Sequence, residues 1–146
     1  MKNPLDIGSK TIDVADVHCI KPLTPEQVAA LGTDKKWTAE VRAIGSSGGY
    51  IENLSVAQVA AAFAKIGEKL TVLSTGEAIR GEWVKGVKDF AGQPGQPNKF
   101  KSVVKLTNPG TQQTVEEWFA APRTEIPGGK APSLAGLAGS PKDGPV

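Results

Sequence analysis

The clearest hydrophobic pattern in the chain runs from Leu54 to Ile66. Val56, Val59, Ala60, Phe63 and Ile66 recur at helical spacing and make one apolar stripe. Ser55 stands ahead of the stripe as an N-cap, with Gln58 placed to complete a capping box and Leu54 placed to staple onto Val59. Gly67 suits the left-handed conformation that ends a helix. The spacing predicts the main helix of the fold over residues 56–66.

Beyond it the period shortens. Residues 70–73 form a β-prone run, residues 74–77 carry turn chemistry, and residues 78–87 read as the return strand, with Gly81 and Gly86 as sites of bends or bulges. A helix laid across strands can bury its stripe; alone it cannot.

Upstream, residues 1–10 read as a loose lead-in and residues 11–20 as a strand. Strict alternation puts Ile12, Val14, Asp16, His18 and Ile20 on one face and Asp13, Ala15, Val17 and Cys19 on the other. Neither face is purely apolar, which implies a bulge or a strand in two parts. Thr24, Pro25 and Gln27 then make a second capping box, and a short helix is expected over residues 25–31, closed by Gly32. Its opening, LTPEQVAA, resembles LSVAQVAA at the main helix, and shared helix-start chemistry explains this better than duplication.

Residues 36–44 alternate well enough for a half-buried strand, and residues 45–49 are a glycine- and serine-rich turn into a return at residues 50–52. Residues 91–99 form a Gly/Pro loop. Residues 100–107 resume alternation, Asn108-Pro109-Gly110-Thr111 suits a type II turn, and residues 112–119 read as the returning strand. Thr114 to Glu117 also fits a capping box, so a short helix competes there, but the hairpin is the preferred reading. These elements predict an α+β fold: a mostly antiparallel sheet of five to seven strands, one main helix and one short helix.

From Pro122 the composition changes. Prolines and glycines crowd the remainder, no aromatic residue occurs, and such a chain buries too little surface to offset its ordering entropy. The expected organisation is a domain over residues 1–121 and an extended or disordered arm over residues 122–146. The arm offers Pro122, Pro127, Pro132, Leu134 and Leu137 as contacts for a partner.

Composition narrows the function more than it names one. The 146 residues suffice for one hydrophobic core, and a net charge of +2 gives no strong pull toward nucleic acid or membranes. A single cysteine excludes an intrachain disulfide or a multi-cysteine metal site. No apolar run suits a bilayer span or a secretory leader, so a soluble protein made in the cytoplasm is expected.

The candidate chemistry is sparse. Adjacent strand residues point to opposite faces, which separates His18 from Cys19. Asp16 and His18 could orient and deprotonate Ser46 or Ser47, but no nucleophile elbow is present. Asp13, Asp16 and His18 lack zinc spacing, and the glycine turn at 45–49 precedes a strand rather than the helix a phosphate loop requires. Glu116 and Glu117 are neighbours and face oppositely on a strand. No catalytic residue, cofactor or metal is expected.

Two readings remain. One is a non-enzymatic structural or interaction protein that docks through its arm into a larger, homo-oligomeric assembly, such as a virion or coat, with copies of itself or neighbouring subunits as partners. The alternative is a β-sheet module for single-stranded nucleic acid, using Lys36, Trp37, Arg42, Lys99 and Lys101, in which bases would stack on aromatics between cations. Interspersed Glu40, Glu77, Glu82 and Asp89 weigh against it.

Overall fold

The computed structural model describes residues 2–7, 10–32, 34–91 and 99–129. Along the chain lie strands Pro4–Ile7 (β1), Lys10–Asp13 (β2) and Val17–Pro22 (β3), helix Pro25–Ala30 (α1), strands Trp37–Ala43 (β4) and Gly49–Glu52 (β5), and helix Val56–Lys65 (α2). Strands Thr71–Val72 (β6), Ala78–Ile79 (β7), Val84–Asp89 (β8), Ser102–Asn108 (β9) and Gln113–Phe119 (β10) follow. They form a β1–β2 hairpin, a five-stranded sheet in the order β5-β4-β3-β7-β6, and a three-stranded sheet in the order β10-β9-β8. Every pairing is antiparallel, and the fold is α+β.

Helix α2 forms where its stripe places it. Both halves of the Ser55–Gln58 capping box are made, and Gly67 is left-handed with φ +88°. Its buried side, Val56, Val59, Ala60 and Phe63, packs with Val17, Ile20, Val41 and Ala78 of the five-stranded sheet and with Ile7 and Ile12 of the hairpin. Residues 1–10 are thus more than a lead-in: Leu5 pairs with Ile12, and Ile7 is buried against the same core. Helix α1 also makes its capping box but buries no residue, and Leu31 beyond it is exposed.

The opposite face of the five-stranded sheet meets the three-stranded one. Cys19 and Ile79 pack there with Val104, Leu106 and Phe119. The chain passes between the sheets at a 3-10 turn, Gly81–Trp83, so the expected return strand over residues 78–87 divides into β7 and β8. Arg80 fixes this corner. Its buried guanidinium donates to the Val14 and Val17 carbonyls and to Glu68, and stacks 4.5 Å from the Trp83 ring.

Residues 114–117 lie in strand β10, as the hairpin reading expects. The turn before it is not type II, because Gln112 rather than Gly110 carries the positive φ, and the Asn108 side chain accepts from the Gly110 N–H instead. In the β4–β5 turn, Gly48 is obligatory: a Cβ there would stand 1.9 Å from the Val41 carbonyl oxygen. Packing also continues past the change in composition at Pro122. Ile126 is buried in the second core with Phe119 and Ala121, and Gly129 is buried as well. Among the described residues no helix is long and apolar enough to cross a membrane.

Candidate functional site: an ionic joint between the sheets

Strand β3 carries the residues from which the site is built. Its register against β4 jumps from Val17↔Ala43 to Cys19↔Arg42, leaving His18 as the extra residue of a β-bulge. The bulge resets the alternation. Val17 and Ile20 face the helix core, while Cys19 joins the core between the sheets and His18 turns toward β10 on that side. This corrects the expectation that His18 and Cys19 point apart: their ligand atoms and a Glu117 carboxylate oxygen all lie within 4.8 Å of one another.

On β10 the alternation is regular. Val115, Glu117 and Phe119 turn inward, and Glu116 and Trp118 outward. Glu117 therefore brings a carboxylate to an apolar position and has to find donors. Its Oε2 lies 2.7 Å from His18 Nε2, and its Oε1 accepts from Arg42 Nη1 at 2.6 Å. Arg42 is held on its other side by Glu40 at 3.0 and 3.2 Å. Burial pushes the Glu117 carboxyl up, but the His18 hydrogen bond and the charges of Arg42 and His18 outweigh it and hold the group below its ordinary value. Burial likewise opposes the Arg42 charge, and Glu117 and Glu40 overcome it. Burial pushes the Cys19 thiol strongly up.

A carboxylate only accepts, so His18 Nε2 donates to Glu117. The ring's Nδ1 is buried and has no partner. It is an orphan polar atom in a residue only 2% exposed.

A second ion pair lies along the same strand. Lys21 Nζ donates to Glu77 Oε2 at 2.8 Å and to the Trp118 carbonyl, and sits 3.8 Å from the centre of the Phe119 ring. Glu77 also accepts from Thr75 and from the backbone N–H groups of Ala120 and Ala121. Burial raises its carboxyl, but the hydrogen bonds from Lys21, Thr75 and Ala120 bring it below its ordinary value. Between the two pairs opens a cleft of about 310 Å³, bordered by Lys21, Arg42, Lys99, Phe100, Glu117 and Trp118.

The nucleic-acid candidates divide. Arg42 and Lys99 meet at this cleft, where Phe100 and Trp118 are exposed aromatics. Lys36 and Trp37 lie at the far end of β4, where Trp37 packs on Tyr50, and Lys101 is exposed just before β9. Asp16 is committed to Asn108, and Asp13 to the backbone N–H groups of Lys2, Asn3 and Ala15, so neither joins His18. Ser46 and Ser47 are exposed in the β4–β5 turn.

Of the arm contacts, Pro122 is exposed and Pro127 packs against Gly81 of its own chain. Pro132, Leu134 and Leu137 lie outside the described residues. Sequence reasoning passed over Glu117, Glu77 and Lys21 as partners. Only Glu117 carried a signal, its parity with Val115 and Phe119. No family model, no curated protein and no solved structure matches the chain.

Proposed function

We propose that the chain is a non-enzymatic interaction module that docks into a larger, homo-oligomeric assembly through the residues beyond Gly129. An accessory component of a virus particle or a comparable coat is the concrete form, made as a soluble protein and then incorporated. One observation supports this above the others: the segment 122–129 is strapped to the body. Arg123 pairs with Asp89 at 3.1 Å, and Glu125 accepts from the Ser74 N–H and hydroxyl at 2.6 and 2.8 Å. Ile126 fills the second core, and Gly128 stands against Val84, the first residue of β8. The proline-rich remainder thus departs from a fixed point beside the outer strand of the three-stranded sheet. A proline-containing chain leaving that point would meet a neighbouring subunit by strand addition or groove contacts, with prolines lowering its ordering cost.

The test is a pair of truncations. Ending the chain after Gly129 leaves the domain as stable as the full chain and abolishes assembly. Ending it after Ala121 also strips Ile126 from the core and destabilises the fold by about 3 kcal/mol. Assembly of the shorter chains at the full-length mass would overturn the proposal.

The cleft favours a second reading. Exposed Phe100 and Trp118 beside Lys99 and Arg42 suit a stacked base and its phosphate. That reading requires salt-sensitive binding of single-stranded oligonucleotides that weakens in Lys99→Gln. Arg42, already shared by two carboxylates, favours it less.

A further inference from the structure

We propose that His18, Cys19 and Glu117 form a binding site for one thiophilic metal ion of the Zn²⁺ class at the joint between the sheets. The bulge in β3 makes this possible, because it sets an imidazole and a thiol from consecutive residues on one side of the strand, facing a carboxylate from the opposing sheet. A nitrogen, a sulfur and an oxygen donor make a set that Zn²⁺ accepts. Donors around a tetrahedral Zn²⁺ stand roughly 3.3–3.6 Å apart. The three ligand atoms here lie within 4.8 Å of one another, so small side-chain rotations close the site, with the His18–Glu117 pair opening slightly from 2.7 Å.

The ring can take the tautomer that ligation requires. The fold uses one of the two His18 nitrogens and leaves Nδ1 buried without a partner. Nε2, the nitrogen opposite Glu117, is the ligating atom, and Nδ1 is left to carry the ring proton. The charges also balance. A dication together with Arg42 is offset by the Cys19 thiolate and the carboxylates of Glu117 and Glu40, all within one connected network. Binding releases the Cys19 thiol proton to solvent and shifts the His18 proton from Nε2 to Nδ1 so that the Nε2 lone pair can ligate. It forms bonds from the metal to sulfur, nitrogen and carboxylate oxygen, with no change of oxidation state.

Access comes from the Glu117 side. His18 and Glu117 border a shallow depression of about 360 Å³ against the β4–β5 turn, with Gly48, Gly49 and Tyr50 on its far wall. A water there completes the coordination. The ion would clamp β3 to β10 whether or not the chain assembles.

The experiment is a titration of the full chain, stripped with chelator, with Co²⁺ followed by Zn²⁺. One equivalent of Co²⁺ is expected to produce a near-ultraviolet thiolate-to-cobalt charge-transfer band, and Zn²⁺ is expected to erase it. The band is lost in Cys19→Ala, and Glu117→Gln weakens binding at least about tenfold. Far-ultraviolet dichroism reports whether each variant folds, and Glu117→Gln decides the matter if Cys19→Ala does not. Absence of the band in the unaltered chain, its persistence in folded Cys19→Ala, or undiminished binding in Glu117→Gln would overturn the proposal.

Discussion

The centre of one face of the five-stranded sheet is closed by hydrocarbon, the other by hydrocarbon threaded with ionisable groups. On the helix face, Phe63, Val59 and Val56 meet Val17, Ile20 and Val41, and the polar contacts of Arg80 and Asn3 with Glu68 stand beyond the C-terminal end of α2. On the opposite face, Val104, Leu106 and Phe119 share the interface with His18, Lys21, Glu77 and Glu117. The first face gains stability from area and fit, and it accepts any packing that fills the space. The second tolerates little sliding, because a shift that leaves apolar contacts intact would strip a buried charge of its partner. The ionic joint is therefore expected to fix how the three-stranded sheet sits on the five-stranded one.

The sharpest way to break this comparison is to weaken each face at its centre. Phe63 is fully buried. Phe63→Ala is expected to cost about 4 kcal/mol in denaturant unfolding, with side-chain order between the sheets retained in the folded state. Glu77→Gln comes next, at about 3 kcal/mol, since it leaves the Lys21 ammonium buried without a countercharge while the amide oxygen still accepts from Ala120. Adding Lys21→Met should then recover part of that loss, with a coupling of about 2 kcal/mol in the double-mutant cycle. Additive losses would mean the pair does not act as a unit.

The smallest effect separates the faces by pH. Glu77 and Glu117 both titrate below their ordinary value of 4.5 in the folded chain. A carboxyl lowered by folding binds fewer protons in the native state, so its contribution is fully present above 4.5 and is lost as pH falls through the lowered values. Thermal midpoints should therefore fall between about pH 5 and pH 3, and the slope should flatten in Glu77→Gln combined with Glu117→Gln. Changes at Phe63 should leave the slope unchanged.

The two faces also differ in how far the sequence revealed them. Helix α2, its caps and its buried stripe follow from local spacing, because each decision is made within a few residues. The three-stranded sheet was half visible: the β9–β10 hairpin follows from alternation, but its separation from β7 depends on the Gly81–Trp83 corner, which reads locally as a bend in one strand. The joint was hidden. His18 meets Glu117 and Lys21 meets Trp118 across nearly the whole domain, and a bulge at His18 inverts the parity that alternation assigns. The segment 122–129 misled in the other direction. Its proline and glycine content reads as arm, yet Ile126 is buried in the core and Arg123 and Glu125 pair with Asp89 and Ser74 of the body.

Assembly through the residues past Gly129 is the central claim, and the native mass of the full chain in solution tests it most directly. Light scattering across a range of concentrations should return one defined mass, a whole-number multiple of the 15.2 kDa chain. A mass of one chain at every concentration would contradict the account.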